Sequence, residues 1–214
     1  MLASYLTIGQ VHYLHKITNK LLNGLTMRLL YIHGFASFYD PSKSKIKILK
    51  NLGEVAGVDI DYCGGFDTAF KKASDAAMTC DLVVGTSMGG FMASHVGAAL
   101  GIPFVALNPA IAPKETLLKY VGSFTDYSGN EKVLDEATVA SYPDFKTVDG
   151  CGLILLESGD DVIDPKRTFA ALDGIYHIKM VEGGSHRFSS LSEQVEEIAA
   201  FIHNAEMIYG LHSN

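Results

Sequence analysis

The segment Leu82-Val83-Val84-Gly85-Thr86-Ser87-Met88-Gly89-Gly90 constrains this chain more than any other. A continuous apolar run leads into a serine set among glycines. The residues that follow, Phe91-Met92-Ala93-Ser94-His95-Val96, read as a helix. The expected structure is strand, tight turn, helix, with Ser87 at the apex. Such a turn holds the serine in a strained backbone conformation, and side chains on either flank would collide with neighbouring backbone. It also exposes the hydroxyl and aims the helix N-terminus at it. The backbone N–H of Met88 then points where an oxyanion would form.

The rest of the chain keeps the same rhythm. Apolar runs of strand length begin at Met27 and recur at residues 55–60, Leu82–Thr86, residues 103–107, Gly152–Glu157 and residues 176–181. Helical stretches alternate with them: 41–52, 67–78, 89–100 and a final helix over 191–204. In that last helix Leu191, Val195, Ile198, Ala199 and Ile202 recur at helical spacing. Continuous apolar strands alternating with helices predict an α/β fold whose mostly parallel sheet is covered on both faces. Residues 27–214 are read as that domain and residues 1–26 as an extension. The extension either precedes a natural start at Met27 or forms a short helix over 11–22 packed on the domain. Residues 110–150 break the rhythm, with helical stretches at 113–121 and 135–141, a polar loop at 125–130 and exposed-looking aromatics (Tyr120, Phe124, Tyr127, Tyr142, Phe145). They are read as a small helical cap beside the site.

Composition narrows the function. The chain has 214 residues, 48% of them hydrophobic, which suffices for one sizeable core. Its 24 acidic and 17 basic residues give a formal charge of −7. Lys43, Lys45, Lys47 and Lys50 read as a solvated helix face, so no nucleic-acid partner is expected. No apolar run is long enough to span a membrane. Cys63, Cys80 and Cys151 show neither C-x-x-C pairing nor zinc spacing, and read as small hydrophobes in a reducing, cytoplasmic setting. His12, His15, His95, His177, His203 and His212 lack a carboxylate or cysteine at ligand spacing, so no metal is expected. With no Walker lysine and no G-x-G-x-x-G, no nucleotide cofactor is expected either.

The glycine-flanked serine resembles the nucleophile elbow of α/β-hydrolases, where the triad runs Ser, then Asp or Glu, then His. A serine nucleophile needs a base, and the base needs an orienting acid. His186 lies in Glu182-Gly183-Gly184-Ser185-His186-Arg187-Phe188, beyond the last strand and before the final helix. Ligand sites of open parallel sheets lie at the strands' carboxyl ends, so this is the place for the base. Three aspartates follow the preceding strand. Asp160, directly after Gly159, is the chosen acid, with Asp161 its rival. Asp164 before Pro165 reads as a helix N-cap. Met88 and Phe35 are the candidate oxyanion donors, Phe35 lying in His33-Gly34-Phe35-Ala36 after the first strand. His33 sits wrongly for a base and is expected to brace that loop. Phe38 and Tyr39 are candidate substrate-binding residues.

Five segments together resemble a family. They are Leu30-Tyr31-Ile32-His33-Gly34-Phe35, Gly85-Thr86-Ser87-Met88-Gly89-Gly90, Leu107-Asn108-Pro109-Ala110, Ser158-Gly159-Asp160-Asp161-Val162-Ile163-Asp164 and Val181-Glu182-Gly183-Gly184-Ser185-His186-Arg187-Phe188. From Met27 onward the chain is similar to the YqiA-like (YqiA/YcfP) small bacterial esterases of the α/β-hydrolase superfamily. The resemblance implies a compact hydrolase acting on small-molecule esters or thioesters, with Ser87 as nucleophile, Asp160 as acid and His186 as base. Two other readings stay open: a non-catalytic binding protein of the same fold, and an amide or C–C bond hydrolase. The oligomeric state is not written in the sequence.

Overall fold

The computed structural model describes residues 26–148 and 150–210, so the expectation for the N-terminal extension falls outside the described residues. Six strands form one sheet: β1 (Arg28–Ile32), β2 (Glu54–Val58), β3 (Leu82–Thr86), β4 (Phe104–Leu107), β7 (Gly152–Glu157) and β8 (His177–Val181). Their order across the sheet is β2-β1-β3-β4-β7-β8, and every pairing is parallel. The connecting helices are α1 (Ser44–Leu49), α2 (Phe66–Ala77), α3 (Met88–Leu100), α6 (Pro165–Leu172) and α7 (Val195–Gly210). The final helix opens with a 3-10 turn, Leu191–Gln194.

Each face of the sheet carries its own core. Leu30, Ile32, Val83, Phe91 and Ile154 belong to one cluster, and Leu29, Tyr31, Val84, Leu155 and Ile198 to the other. The alternation along each strand follows from side chains pointing to opposite faces in turn. Both faces being covered, the central strands read as unbroken apolar runs, each large side chain contributing about 1.5–3 kcal/mol when fully buried. Among the described residues no helix is long and apolar enough to cross a membrane.

The segment between β4 and β7 departs from its expected helical form. It contains α4 (Pro113–Leu118), an antiparallel hairpin of β5 (Gly122–Thr125) and β6 (Glu131–Leu134), and α5 (Glu136–Ala140). The polar loop expected at 125–130 is the hairpin's turn. The Asp126 carboxylate accepts the N–H groups of Ser128 and Asn130 at 2.8 and 2.9 Å, and Gly129 supplies the positive φ. Two aromatics expected at the surface are core residues instead. Tyr142 is fully buried, its hydroxyl donating to the Tyr62 carbonyl at 2.7 Å, and Phe145 packs on Phe104.

Candidate active site

Ser87 follows β3 directly and stands at the N-cap of α3 with φ 57° and ψ −120°, a conformation that costs about 1–3 kcal/mol for a residue with a side chain. Its neighbours hold it there. The Ser87 N–H donates to Leu107 O at 3.0 Å, and Ser87 O accepts from Phe91 N at 3.0 Å and Ala110 N at 3.2 Å. Gly85 and Gly89 are required by close approach. A Cβ on Gly85 would overlap the Gly89 carbonyl, and one on Gly89 would overlap the Ile32 carbonyl.

His186 Nε2 lies 3.0 Å from Ser87 Oγ. Its Nδ1 lies 2.9 Å from both carboxylate oxygens of Asp160. Nδ1–H therefore donates to the acid, which leaves Nε2 free to accept the serine proton. Asp160 is itself fixed, since its Oδ1 accepts the N–H groups of Val162 and Ile163 at 2.8 and 2.9 Å. Its side chain is only 1% exposed, whereas the rival Asp161 faces solvent. Asp164 caps α6, accepting from Lys166 N at 2.9 Å and Arg167 N at 3.3 Å.

The chain at Gly34–Phe35 passes beside the serine, a Cβ on Gly34 lying 3.3 Å from Ser87 Cβ. His33 braces this turn. Its Nδ1 meets Gly34 O at 2.7 Å, and its Nε2 accepts the Ile60 N–H at 2.9 Å. Burial holds its imidazole below the ordinary histidine range, partly opposed by the Gly34 bond and by Asp59. The ring is a neutral strut. Across the turn, Ala36 O accepts the Tyr127 N–H at 2.9 Å, and the Phe35 ring packs on Tyr120 and Phe124 at 4.9 and 5.1 Å. Met88 heads α3, where a helix leaves its first N–H groups unpaired.

A cleft of about 270 Å³ opens beside Phe35, with Phe38, Ile60, Phe124, Asp61 and Lys132 among its walls. Tyr39 lies outside it. The Tyr39 ring occupies the space over Gly57, its N–H donates to Asp59 at 2.6 Å, and its hydroxyl reaches Val55 O at 3.3 Å. Those bonds turn it onto the β2 edge, away from the aromatic wall. Among the described residues no group of three or more His, Cys, Asp or Glu is arranged to hold a metal. His177, given no partner from spacing, faces Glu197 at 3.4 Å.

Three further residues hold the loop that carries His186. Glu157, fully buried at the end of β7, accepts from Ser185 N at 2.6 Å, Ser189 N at 3.0 Å and Ser190 N at 2.6 Å. Burial pushes its carboxyl up, but these donors outweigh it and hold the group below the usual glutamate range. Asn108, with φ 45°, accepts the Glu157 N–H at 2.8 Å and donates to Ser185 O at 2.9 Å. Lys45 donates to Thr86 Oγ1 at 3.1 Å and to Arg187 O at 2.5 Å. This corrects the reading of Lys45 as part of a solvated lysine face. On a short helix its stem turns inward while Lys43, Lys47 and Lys50 stay exposed. One signal for Glu157 was present in the sequence, a single acid closing an otherwise apolar central strand.

A family model described as an uncharacterised protein family, UPF0227, matches residues 28–203. The chain belongs to the UPF0227 family. That is the YqiA-like family to which the motifs point. A UPF0227 protein of Yersinia enterocolitica is 30% identical over 135 residues, covering 63% of this chain and 70% of its own. A UPF0227 protein of Pasteurella multocida is 24% identical over 183 residues, covering 81% and 98%. Among solved structures, Est1E from Butyrivibrio proteoclasticus superposes with a TM-score of 0.62 at 16% identity, covering 86% of this chain and 89% of that one. At that identity the likeness is one of fold, and the UPF0227 chain has the α/β-hydrolase fold.

Proposed function

We propose that this UPF0227 protein is a serine hydrolase that cleaves a small-molecule carboxylic ester or thioester through an acyl-enzyme. The observation that carries the reading is the continuous contact from Ser87 Oγ to His186 Nε2 at 3.0 Å and from His186 Nδ1 to Asp160 at 2.9 Å. His186 takes the Ser87 proton as the hydroxyl oxygen attacks the acyl carbon. The carbonyl electron pair moves onto oxygen, and the N–H groups of Phe35 and Met88 receive that charge. Each such donor is worth about 3–4 kcal/mol. As the pair returns, the bond to the leaving alcohol or thiol breaks, and His186 gives it the proton. Water then repeats the cycle and frees the acid. Asp160 holds the imidazole tautomer and stabilises the imidazolium.

Residues 110–150 act in this reading as the cap, placing Tyr120 and Phe124 against Phe35 on one side of the substrate. Phe38, on the cleft wall, contacts substrate, and Tyr39 is assigned a structural place. The thiols of Cys63, Cys80 and Cys151 suit a reducing, cytoplasmic location.

A fluorophosphonate probe tests the proposal without knowledge of the substrate. It should label the protein stoichiometrically, with the adduct on Ser87 by peptide mass spectrometry. Ser87→Ala should abolish labelling while leaving the melting temperature within a few degrees. Hydrolysis of p-nitrophenyl esters of rising chain length and of acyl-CoAs then reports pocket size and scissile bond. Labelling absent from wild type, or undiminished in Ser87→Ala, overturns the reading.

A further inference from the structure

Lys45 lies on α1, in the connection between β1 and β2, and its side chain reaches across to the end of β3. Its ammonium donates to Thr86 Oγ1 at 3.1 Å, and Thr86 is the residue just before Ser87. It donates also to Arg187 O at 2.5 Å, and Arg187 is the residue just after His186. One side chain thus ties the backbone beside the base to the strand end beside the nucleophile. We propose that Lys45 is a positioning residue for the hydrolytic reaction, its ammonium setting the distance between the His186 loop and Ser87. This rests on the serine-hydrolase reading and deepens it.

The chemistry favours a charge-dependent tie. A hydrogen bond from an ammonium is roughly twice as strong as one from a neutral donor. The other restraints on the loop, from Glu157 and Asn108, act at Ser185, His186 O (from Asn108, 3.4 Å), Ser189 and Ser190, and Lys45 adds the tie at Arg187 O. Thr86 Oγ1 in turn lies 3.1 Å from the buried Tyr31 hydroxyl, which fixes its orientation. The charged and titratable groups around Lys45 are Glu157 on β7, Arg187 on the loop, Lys43 at the start of α1 and Tyr31 through Thr86. Glu193, on the 3-10 turn packed against α1, is exposed. Burial lowers the Lys45 ammonium to about 8, Glu157 opposing and Arg187 and Lys43 adding to the shift. Tyr31 is raised by burial and stays protonated through that range. The tie therefore weakens as pH rises through about 8. Because the folded state holds that proton less tightly than the unfolded chain, the Lys45 contribution to stability rises over the same range. A fall in reactivity there is not unfolding.

The test is the second-order rate of Ser87 labelling by a fluorophosphonate between pH 6 and 10, with melting temperatures alongside. Wild type should fall several-fold above pH 8. Lys45→Met, which keeps the stem and removes the charge, should label about tenfold or more slowly at pH 7, as expected when a reacting group is misplaced. It should also lose the alkaline fall. Lys45→Arg, charged throughout, should recover most of the rate and label at pH 9 as fast as at pH 7. Wild-type rates and pH profile in Lys45→Met overturn the proposal. Should that variant fail to fold, an alkaline fall unchanged in Lys45→Arg overturns it. Failure of wild type to label at all would instead sink the serine-hydrolase reading.

Discussion

Two neighbouring aspartates follow β7, and they differ in what surrounds them. Asp160 receives two backbone N–H groups and faces His186, whereas Asp161 faces solvent. Asp160→Asn should lower kcat by about 10³–10⁴-fold through the wrong imidazole tautomer. Asp161→Asn should leave kcat within about twofold, since an exposed carboxylate away from such features changes little. Equal losses in the two variants would remove Asp160 from its role. His33 allows a stability test. His33→Ala leaves the Ile60 N–H without its acceptor, which should cost about 1–3 kcal/mol in urea unfolding.

The element that most needs explaining is the loop from Gly183 to Ser190. It leaves the sheet through two glycines with positive φ and returns through Phe188, whose ring is buried in the core at φ 56°. Between those points Glu157 gathers the loop's N–H groups around one carboxylate. Glu157→Gln keeps the shape but turns an amide donor toward donors. The expected result is a loss of about 2–3 kcal/mol, as for buried hydrogen bonds to a charged group. Activity should fall more than KM changes, because the base moves and the cleft walls do not. The elbow should be less forgiving. Gly85→Ala drives a methyl into the Gly89 carbonyl, so soluble folded protein should be lost, not merely slowed.

For the molecule as a whole, pH links two imidazoles to stability, the buried His33 and the half-buried His95. Burial lowers both His33 and His95 below the ordinary histidine value of 6.5. Below 6.5 the unfolded chain binds protons that the folded protein refuses, so their contribution is full above 6.5 and is lost as pH falls. Glu157, held below its ordinary 4.5, adds a second loss as pH falls beneath that value. The melting temperature should decline from pH 7 to pH 5 and again below pH 4.5, and His33→Asn should flatten the first decline. An unchanged slope in that variant would remove His33 from this account.

Much of this architecture follows from local chemistry. The parallel sheet follows from apolar runs separated by helices, because a strand buried on both faces has no polar side to show. The elbow follows from Gly85, Ser87 and Gly89, because only glycine leaves room for backbone to approach so closely. His33 as a brace and Asp164 as a helix cap were equally local, each serving backbone groups a few residues away or one strand over. The hairpin at 122–134 leaves little trace in the sequence because its strands are four residues each and mix polar with apolar side chains, and its turn depends on the Asp126 side chain. Tyr142 and Phe145 looked exposed because the segment around them is polar, yet both fold back onto α3 and β4. The inward turn of Lys45 and the donors that gather on Glu157 are decided only by packing. Nothing in a lysine-rich helix says which ammonium turns inward, and nothing in a strand says which distant N–H groups will meet its last carboxylate. Those contacts join residues 28 to 142 positions apart, and the tertiary fold alone brings them together.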